Sequence, residues 1–297
     1  MIFEQATVTM FSGKGGVGKT TCAAATALHY ASAGEKTLAI STDATPSLSH
    51  IFDSSRDGFP ASREMLRIRE LGAAEVEQMW DEKFGKDVFD VFSSFVAIDY
   101  RDFVEFTTGI LPGLSEEFMV DYIRELSLQG DNSHIVWDTA PLGQTLALLQ
   151  TPAMLVEHLR MAPRIYSKLK LSRIKKEPIL SIIGRWQKLS AEEMEFLRNR
   201  VQFVIVTIPE ALAVVQLDDV FHRMDAHGLK VGQLIVNNVI KVKDSSFLET
   251  KSEQQKKYLD TIYAKYSHLD IIEVPMFPYE LRGWERLREV EKVLFSG

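Results

Sequence analysis

Short apolar runs alternate with helical patterns along much of this chain. Six of the runs are rich in β-branched residues, and one more, at 65–71, is weaker; the six cover residues 6–12, 37–43, 134–140, 202–208, 233–240 and 270–276. Runs that are apolar at nearly every position are typical of strands buried on both faces of a parallel sheet. The pattern predicts an α/β fold with a parallel-rich sheet and helices on both of its faces.

Two regions break this alternation and predict helices only. In residues 79–126, apolar side chains recur at helical spacing and form one apolar helix face. Residues 151–200 contain a second face of the same kind. We interpret the two regions as a helical insertion subdomain within a single domain that spans residues 1–297.

Composition and charge narrow the class of protein. The net charge of −7 argues against non-specific nucleic-acid binding as the main activity. The only cysteine, Cys22, excludes an intramolecular disulfide and a cysteine-based zinc site within one chain. No signal peptide is visible, and no run of about 18 apolar residues occurs. We therefore expect a cytoplasmic protein that binds no nucleic acid.

The stretch "FSGKGGVGKTT" fits the spacing of a phosphate-binding loop between a predicted strand and an alanine-rich predicted helix. Glycines let the backbone turn its N–H groups towards phosphate oxygens, and the helix N-terminus adds positive potential. Lys19 is expected to reach the terminal phosphates, and Thr20 to offer its hydroxyl to Mg²⁺. The predicted cofactors are therefore ATP and Mg²⁺. The loop residues expected to contact the nucleotide are Gly13, Lys14, Gly15, Gly16, Val17, Gly18, Lys19, Thr20 and Thr21.

Two aspartates complete the expected chemistry. Asp138 follows the apolar run "HIVW", where a carboxylate at the end of a parallel strand would hold the metal ion. Asp43 ends the predicted strand "TLAIST", and this position makes it a candidate for orienting the attacking water. An ordinary turn aspartate is the alternative interpretation at both positions.

A second lysine in the loop, Lys14, has no role in a simple phosphate-binding loop. Its glycine neighbours are expected to leave it at the rim of the loop. A cation there would stabilise the transferring phosphoryl group if it met the nucleotide of another subunit, and such groups are worth about 10³–10⁵ in rate. The alternative is a solvated surface lysine.

These residues resemble a known family. "GKGGVGKT" looks like the deviant Walker A motif, whose extra lysine, here Lys14, contacts phosphate bound by the partner chain of a dimer. Matches over nearly the whole chain resemble the arsenite-pump ATPase and tail-anchored-protein targeting factor family: "STDATPSLSHIF" is similar to its switch I, and "WDTAPLGQTLALLQTP" to its switch II. The resemblance implies that Asp43, Lys14 and Lys19 serve hydrolysis in a homodimer. It also implies that Thr20 and Asp138 hold Mg²⁺.

Three later segments extend the resemblance to the base and the dimer seam. "TIPEALAVVQ" is similar to a segment in which Glu210 would be a nucleotide contact near that seam. "LIVNNVI" matches the strand whose asparagine, here Asn237, reads adenine. "VPMFPYELRG" resembles an adenine loop, which would place Pro275, Met276 and Phe277 near the base.

The chain departs from the family pattern at several positions. Both switch histidines are missing, because Pro46 and Gln144 stand in their places. The family's eukaryotic members carry a Cys-x-x-Cys pair that binds zinc between subunits, and alignment on "QQKKYL" places Ser245 and Leu248 there. We therefore expect no zinc, and a dimer that rests on nucleotide and apolar contacts alone.

Three functions remain open, and the favoured one is an ATP-hydrolysing chaperone. Closure of the homodimer would join the insertions of two chains into an apolar groove for a hydrophobic membrane-protein segment, with a membrane receptor as a further partner. Phenylalanines concentrate in the insertion, and such apolar side chains mark binding surfaces where they are exposed. They are Phe84, Phe89, Phe92, Phe95, Phe103, Phe106 and Phe118. Packing of these rings within the insertion's own core is the alternative.

The two other functions depend on different features. An ATPase subunit that energises arsenite export needs thiolates, the soft ligands for As(III), and Cys22 is expected to be buried. A positioning or partition switch would bind a membrane or protein partners through an amphipathic tail or a basic segment. The tail at 281–297 has balanced charge, so we expect it to dock on the protein's own sheet. The basic segment comprises Arg160, Arg164, Lys168, Lys170, Arg173, Lys175 and Lys176, and a solvated helix face is its alternative.

Overall fold

A parallel sheet organises one of the two units into which the chain divides. The computed structural model describes residues 7–42, 47–52, 64–93, 100–101, 114–139 and 173–296. The sheet unit comprises residues 1–71, 126–146 and 198–297, and the second unit comprises residues 72–125 and 147–197. The expectation of a single domain with an insertion subdomain stays a prediction.

The described strands confirm the α/β fold. They are β1 (Val8–Gly13), β2 (Thr37–Ser41), β3 (Leu66–Glu70), β4 (His134–Asp138), β5 (Val201–Thr207), β6 (Val231–Val239) and β7 (Asp270–Pro275). They form a seven-stranded sheet in the order β3-β2-β4-β1-β5-β6-β7, and every neighbouring pair is parallel. All seven apolar runs of the sequence, including the weaker one at 65–71, therefore form strands.

The central strands are buried on both faces. Every residue of β1 and of β2 is buried. Successive side chains of a strand point to opposite faces, so the burial of both Met10 and Phe11 requires cover on each side of β1. Strand order also reverses beside β1, since β4 and β5 are its two neighbours. In open parallel sheets, ligands bind beyond the carboxyl ends of the strands at such a point.

Helices complete both units. The sheet unit contains α1 (Lys19–Ser32), α2 (Leu48–Phe52), α7 (Ala211–Ala226), α8 (Ser246–Tyr266) and α9 (Trp284–Phe295). The second unit holds α3 (Ala73–Trp80), a π-helical turn (Asp81–Gly85), α4 (Lys86–Phe92) and most of α5 (Leu114–Gln129) and α6 (Arg173–Asn199). Among the described residues, no helix has both the length and the apolar character needed to cross a bilayer.

A buried carboxylate organises the described part of the second unit. The Asp121 side chain on α5 is completely buried, and it accepts hydrogen bonds from Lys83 and Arg124. Lys83 also pairs with Glu125, and Arg124 with Glu192 on α6. A buried charge requires partners of the opposite sign, so this network constrains how the helices of the unit pack.

The C-terminal helix α9 docks on the sheet unit, as the balanced charge of the tail predicts. Leu287, Val290 and Leu294 are buried in the same apolar cluster as the alanines of α1. At the rim of this contact, His29 of α1 stacks on Phe295, with ring centroids 3.7 Å apart. The apolar face of the tail is therefore used inside the protein's own fold.

Replacement of the fully buried Leu287 by alanine tests this docking. We expect the Leu287→Ala change to lower the free energy of unfolding by about 2–5 kcal/mol, because it leaves a cavity between α9 and its neighbours. Urea unfolding followed by circular dichroism measures the change. The matched control is Leu128→Ala, at a leucine that is 70% exposed, which should shift the stability by no more than about 0.5 kcal/mol. Equal effects of the two substitutions would mean that α9 contributes little to the core.

Candidate functional site

The predicted phosphate loop lies between β1 and α1, and its backbone requires glycine at defined positions. Gly16 and Gly18 adopt positive φ angles of 78° and 97°, which side-chain-bearing residues rarely adopt. A Cβ atom on Gly13 would lie 2.2 Å from the carbonyl oxygen of Val206 on β5. At Gly13 the backbone therefore lies closer to β5 than a residue with a side chain would permit.

The N-terminus of α1 suits an anion. Its N-cap, Gly18, has no side chain that could accept hydrogen bonds from the first N–H groups of the helix. The first turn also contains no acidic residue. The N–H groups at the start of a helix and the helix dipole together favour a negatively charged group at this end. The loop and the helix thus fit the triphosphate of ATP.

The two lysines of the loop differ in their surroundings. Lys19 is only 6% exposed, and its Nζ donates a hydrogen bond to the carbonyl oxygen of Lys14 at 3.2 Å. This bond runs across the loop and keeps the ammonium group beside the loop backbone. Lys14, in contrast, is only half-buried. The roles of Lys14 across a dimer and of Lys19 on phosphate stay predictions.

Asp138 occupies the carboxyl end of β4, next to the ends of β1 and β2. It lies in register with Phe11 of β1 and Ser41 of β2, and it is 1% exposed. Its negative charge is close enough to the first turn of α1 to act on the Cys22 thiol. A carboxylate and the Thr20 hydroxyl are hard oxygen ligands of the kind that Mg²⁺ prefers, alongside phosphate oxygens. The residues present therefore fit the predicted metal ion.

The switch residues fall partly outside the described residues. Asp43 and Pro46 precede the described segment 47–52, and Gln144 follows the described segment 114–139, so their predicted roles remain untested. The last described residue before Asp43 is Thr42, whose backbone N–H donates to the carbonyl oxygen of Asp138 at 3.1 Å. Its hydroxyl accepts a hydrogen bond from Trp137 Nε1, also at 3.1 Å. The chain therefore enters the Asp43 segment directly beside the candidate metal ligand.

Asn237 contacts the phosphate loop directly. Its side chain, near the carboxyl end of β6, donates a hydrogen bond to the carbonyl oxygen of Val17 at 2.8 Å. A Cβ atom on Gly18 would lie 2.2 Å from the same Nδ2 atom. Sequence reasoning assigned Asn237 to adenine and missed this contact with the loop. The signal was present, because two consecutive asparagines interrupt an otherwise apolar strand.

The other predicted base contacts lie at the same edge of the sheet. Pro275 ends β7, and the backbone N–H of Met276 donates to the carbonyl oxygen of Val239 on β6 at 2.9 Å. Phe277 packs partly against the core, while Met276 is exposed. Glu210 is the exposed N-cap of α7, just beyond β5. The structure thus places these predicted nucleotide contacts near the carboxyl ends of neighbouring strands. Their contacts with the nucleotide itself stay predictions.

Cys22 is a poor candidate for metalloid binding by this chain. The side chain lies in the first turn of α1 and is 1% exposed. Burial, reinforced by the charge of Asp138, raises the pKa of its thiol to about 12. A neutral, buried thiol lacks the thiolate character that soft metals and metalloids require.

The insertion phenylalanines whose side chains the structure describes pack against other aromatic rings. Phe118 is buried and lies edge to face with Phe84, with ring centroids 6.3 Å apart. Phe89 makes a similar contact with Tyr100 at 4.9 Å. Phe95, Phe103 and Phe106 and the Phe92 side chain lie outside the described residues, as do the side chains of the basic segment.

The position of the family's cysteine pair is occupied by a helix cap. Ser245 is the N-cap of α8, and its Oγ accepts a hydrogen bond from the backbone N–H of Leu248 at 3.3 Å. In the described ranges, no group of three or more His, Cys, Asp or Glu side chains could hold a metal ion. The expectation that the protein binds no zinc stays a prediction.

Comparisons with known proteins agree with this geometry. A family model described as anion-transporting ATPase matches residues 6–296. A protein of Aquifex aeolicus, named provisionally as an arsenical pump-driving ATPase, is 28% identical over 98% of this chain and 99% of its own length. ATPase GET3A of Arabidopsis thaliana is 29% identical over 93% of this chain and 80% of its own. ATPase GET3 of Debaryomyces hansenii is 27% identical over 96% and 88%, respectively.

The clash between Gly18 and Asn237 generates a test of the loop geometry. We expect Gly18→Ala to weaken ATP binding by at least about tenfold, because the new Cβ displaces the Asn237 amide and tilts the N–H groups away from phosphate. Isothermal titration calorimetry measures the affinity. Gly34→Ala is the control, since Gly34 has a similar φ of 83° and no described atom within 4 Å of its Cβ position. The control should lose stability and keep its affinity; unchanged ATP binding by Gly18→Ala would refute the assigned geometry.

Proposed function

The chain belongs to the anion-transporting ATPase family and is an ATPase, and from this premise we propose that it is a homodimeric targeting factor for hydrophobic membrane-protein segments. The observation that carries the proposal is a complete phosphate loop with a second, half-buried lysine at its rim. In this proposal, that lysine contacts a second nucleotide that approaches from outside the chain. Relatives named GET3 and GET3A support the targeting-factor branch of the family.

In the proposed mechanism, the residues of the candidate site have separate tasks. The loop N–H groups and Lys19 bind the phosphates, and Thr20 and Asp138 would hold Mg²⁺. When bound, the metal ion would supply positive charge to the transferring phosphoryl group. Asp43 orients the attacking water, and Lys14 of one chain adds positive charge to the site of the other.

Exposed apolar side chains near the carboxyl ends of the strands, where the nucleotide is proposed to bind, support the homodimer. They lie where the chain leaves three neighbouring strands: Leu212 and Val215 beyond β5, Val242 and Phe247 beyond β6, and Met276 beyond β7. Exposed apolar surface of this kind marks an interaction site. A dimer that forms across this edge would bury these side chains and bring Lys14 to the second nucleotide without a bridging metal ion.

Arsenite export is the second candidate, because one relative carries an arsenical pump name. The buried Cys22, with its raised thiol pKa, argues against metalloid capture by this chain. A positioning switch is less well supported, since the apolar face of α9 packs on the protein's own core. The client, a membrane receptor and a cytoplasmic location belong to the targeting proposal.

Mixing two inactive variants tests whether Lys14 acts across the dimer. Lys14→Ala and Asp43→Asn should each lower ATP turnover by about 10³-fold or more, because each lacks a group required at the transition state. In a mixed dimer, the Lys14→Ala chain keeps its own Asp43 and receives Lys14 from its partner. Half of the dimers are then mixed and each has one working site, so turnover should return to about a quarter of the wild-type rate. ATP turnover is measured as the release of inorganic phosphate. A mixture that stays inactive would mean that Lys14 acts on the nucleotide bound by its own chain.

Capture of a client tests the targeting function separately. The Asp43→Asn protein, loaded with ATP and Mg²⁺, should retain the closed dimer and co-purify with a co-expressed C-terminal transmembrane segment. Size-exclusion chromatography with light scattering identifies a complex of dimer size. The control is a segment of equal length whose leucines are replaced by serines, which should not co-purify. An ATP-bound dimer that captures neither segment would leave an ATPase switch with a different output.

A further inference from the structure

The strand that carries Asn237 is irregular at its carboxyl end. The register between β6 and β7 shifts between Val236 and Val239, where β6 contains one residue more than its partner strand. Within this β-bulge, Asn238 adopts a φ of 57°, a left-handed conformation that asparagine tolerates better than most residues. Bulges re-aim the side chains around them. Here the bulge directly follows the side chain that bonds to Val17.

One side chain of α8 holds this bulge from outside the sheet. The Gln255 side-chain oxygen accepts a hydrogen bond from the backbone N–H of Ile240 at 2.9 Å. Its amide nitrogen donates to the carbonyl oxygen of Asn238, also at 2.9 Å. Gln255 therefore satisfies one backbone group within the bulge and one directly after it, which a regular ladder would otherwise bond.

The helix that carries Gln255 is itself attached to the neighbouring strand. The Tyr263 hydroxyl on α8 donates to Glu273 on β7 at 2.8 Å, and Lys241 pairs with the same carboxylate. The backbone N–H of Met276 bonds to Val239 within the bulge. The bulge is thus bonded to the phosphate loop, to α8 and to the segment that follows β7.

We propose that Gln255 is a positioning residue which, through the β6 bulge and Asn237, keeps the phosphate loop in its phosphate-binding conformation. The inference rests on the proposed ATP site. Asn237 fixes the carbonyl of Val17, and this carbonyl precedes the left-handed Gly18 at which α1 begins. Displacement of the bulge would release that carbonyl and with it the N–H groups of the loop. The position of α8 and the affinity for phosphate are therefore coupled.

A ligand without a base can show whether Gln255 and Asn237 act on phosphate binding or only on adenine binding. A residue that acts only on adenine affects the binding of ATP but not the binding of a probe that lacks the base. Asn237 has a second N–H and an acceptor oxygen, so it can serve adenine and the loop together. Magnesium tripolyphosphate, which has no base, reports on the loop alone.

Calorimetric titration with ATP and with magnesium tripolyphosphate tests the proposal, at a temperature well below the unfolding midpoint of each variant. We expect Gln255→Ala to weaken both ligands by about tenfold, because two hydrogen bonds that hold the bulge are lost. The matched control is Gln254→Ala, the exposed neighbour on the same helix, which should bind both probes as the wild type does. If Gln255→Ala does not fold, Gln255→Met and Gln254→Met replace the pair, since methionine keeps the length and the helix propensity of glutamine.

A double-mutant cycle separates the relay from a general loss of packing. Gln255→Ala and Asn237→Ala should each weaken tripolyphosphate, and the double variant should be little weaker than the worse single variant, because both changes interrupt one path. Strictly additive effects would overturn the relay. A Gln255→Ala protein that loses affinity for ATP alone, or for neither probe, would also overturn it while leaving the ATPase proposal intact. Wild-type protein that binds neither ATP nor tripolyphosphate would instead refute the proposed site, and the inference with it.

Discussion

The close approach of the phosphate loop to two strands of the sheet is the constraint on which the candidate site depends. Gly13 leaves no room for a Cβ against Val206 of β5, and Gly18 leaves none against the Asn237 amide of β6. A loop that must point its N–H groups outwards forms few regular hydrogen bonds of its own. Its conformation is therefore imposed by contacts with the sheet, and glycine is the residue that permits those contacts.

Burial of charge at this edge agrees with a metal–triphosphate ligand. Lys19 and Asp138 are both nearly excluded from water at the carboxyl ends of the strands. A bound triphosphate with its metal ion would offer negative oxygens to the ammonium and a cation to the carboxylate. Burial also raises the pKa of the Cys22 thiol. One electrostatic arrangement thus favours nucleotide chemistry and disfavours metalloid capture by this chain.

Helix α8 occupies a central place in this arrangement. At its start, Ser245 caps the first turn by accepting a hydrogen bond from the backbone N–H of Leu248. Further along, Gln255 bonds to the β6 bulge, and the bulge bonds to the phosphate loop. Exposed Val242 and Phe247 lie just before and within the first turn of the same helix. A dimer contact at these side chains would therefore lie at the start of the helix that carries Gln255. The hydrogen bonds of Gln255 lead through the β6 bulge to the phosphate loop.

The sequence by itself determined the strands, the phosphate loop and the family. Two-sided burial leaves continuous apolar runs, and the loop residues are adjacent in the chain, so both are visible without coordinates. The docking of α9 also followed from its balanced charge. Only the tertiary structure decided that Asn237 bonds to Val17, a residue 220 positions away, and that Gln255 supports the bulge. Such contacts depend on how strands and helices are brought together in space, and no local pattern of residue types specifies which distant backbone group an amide side chain will reach.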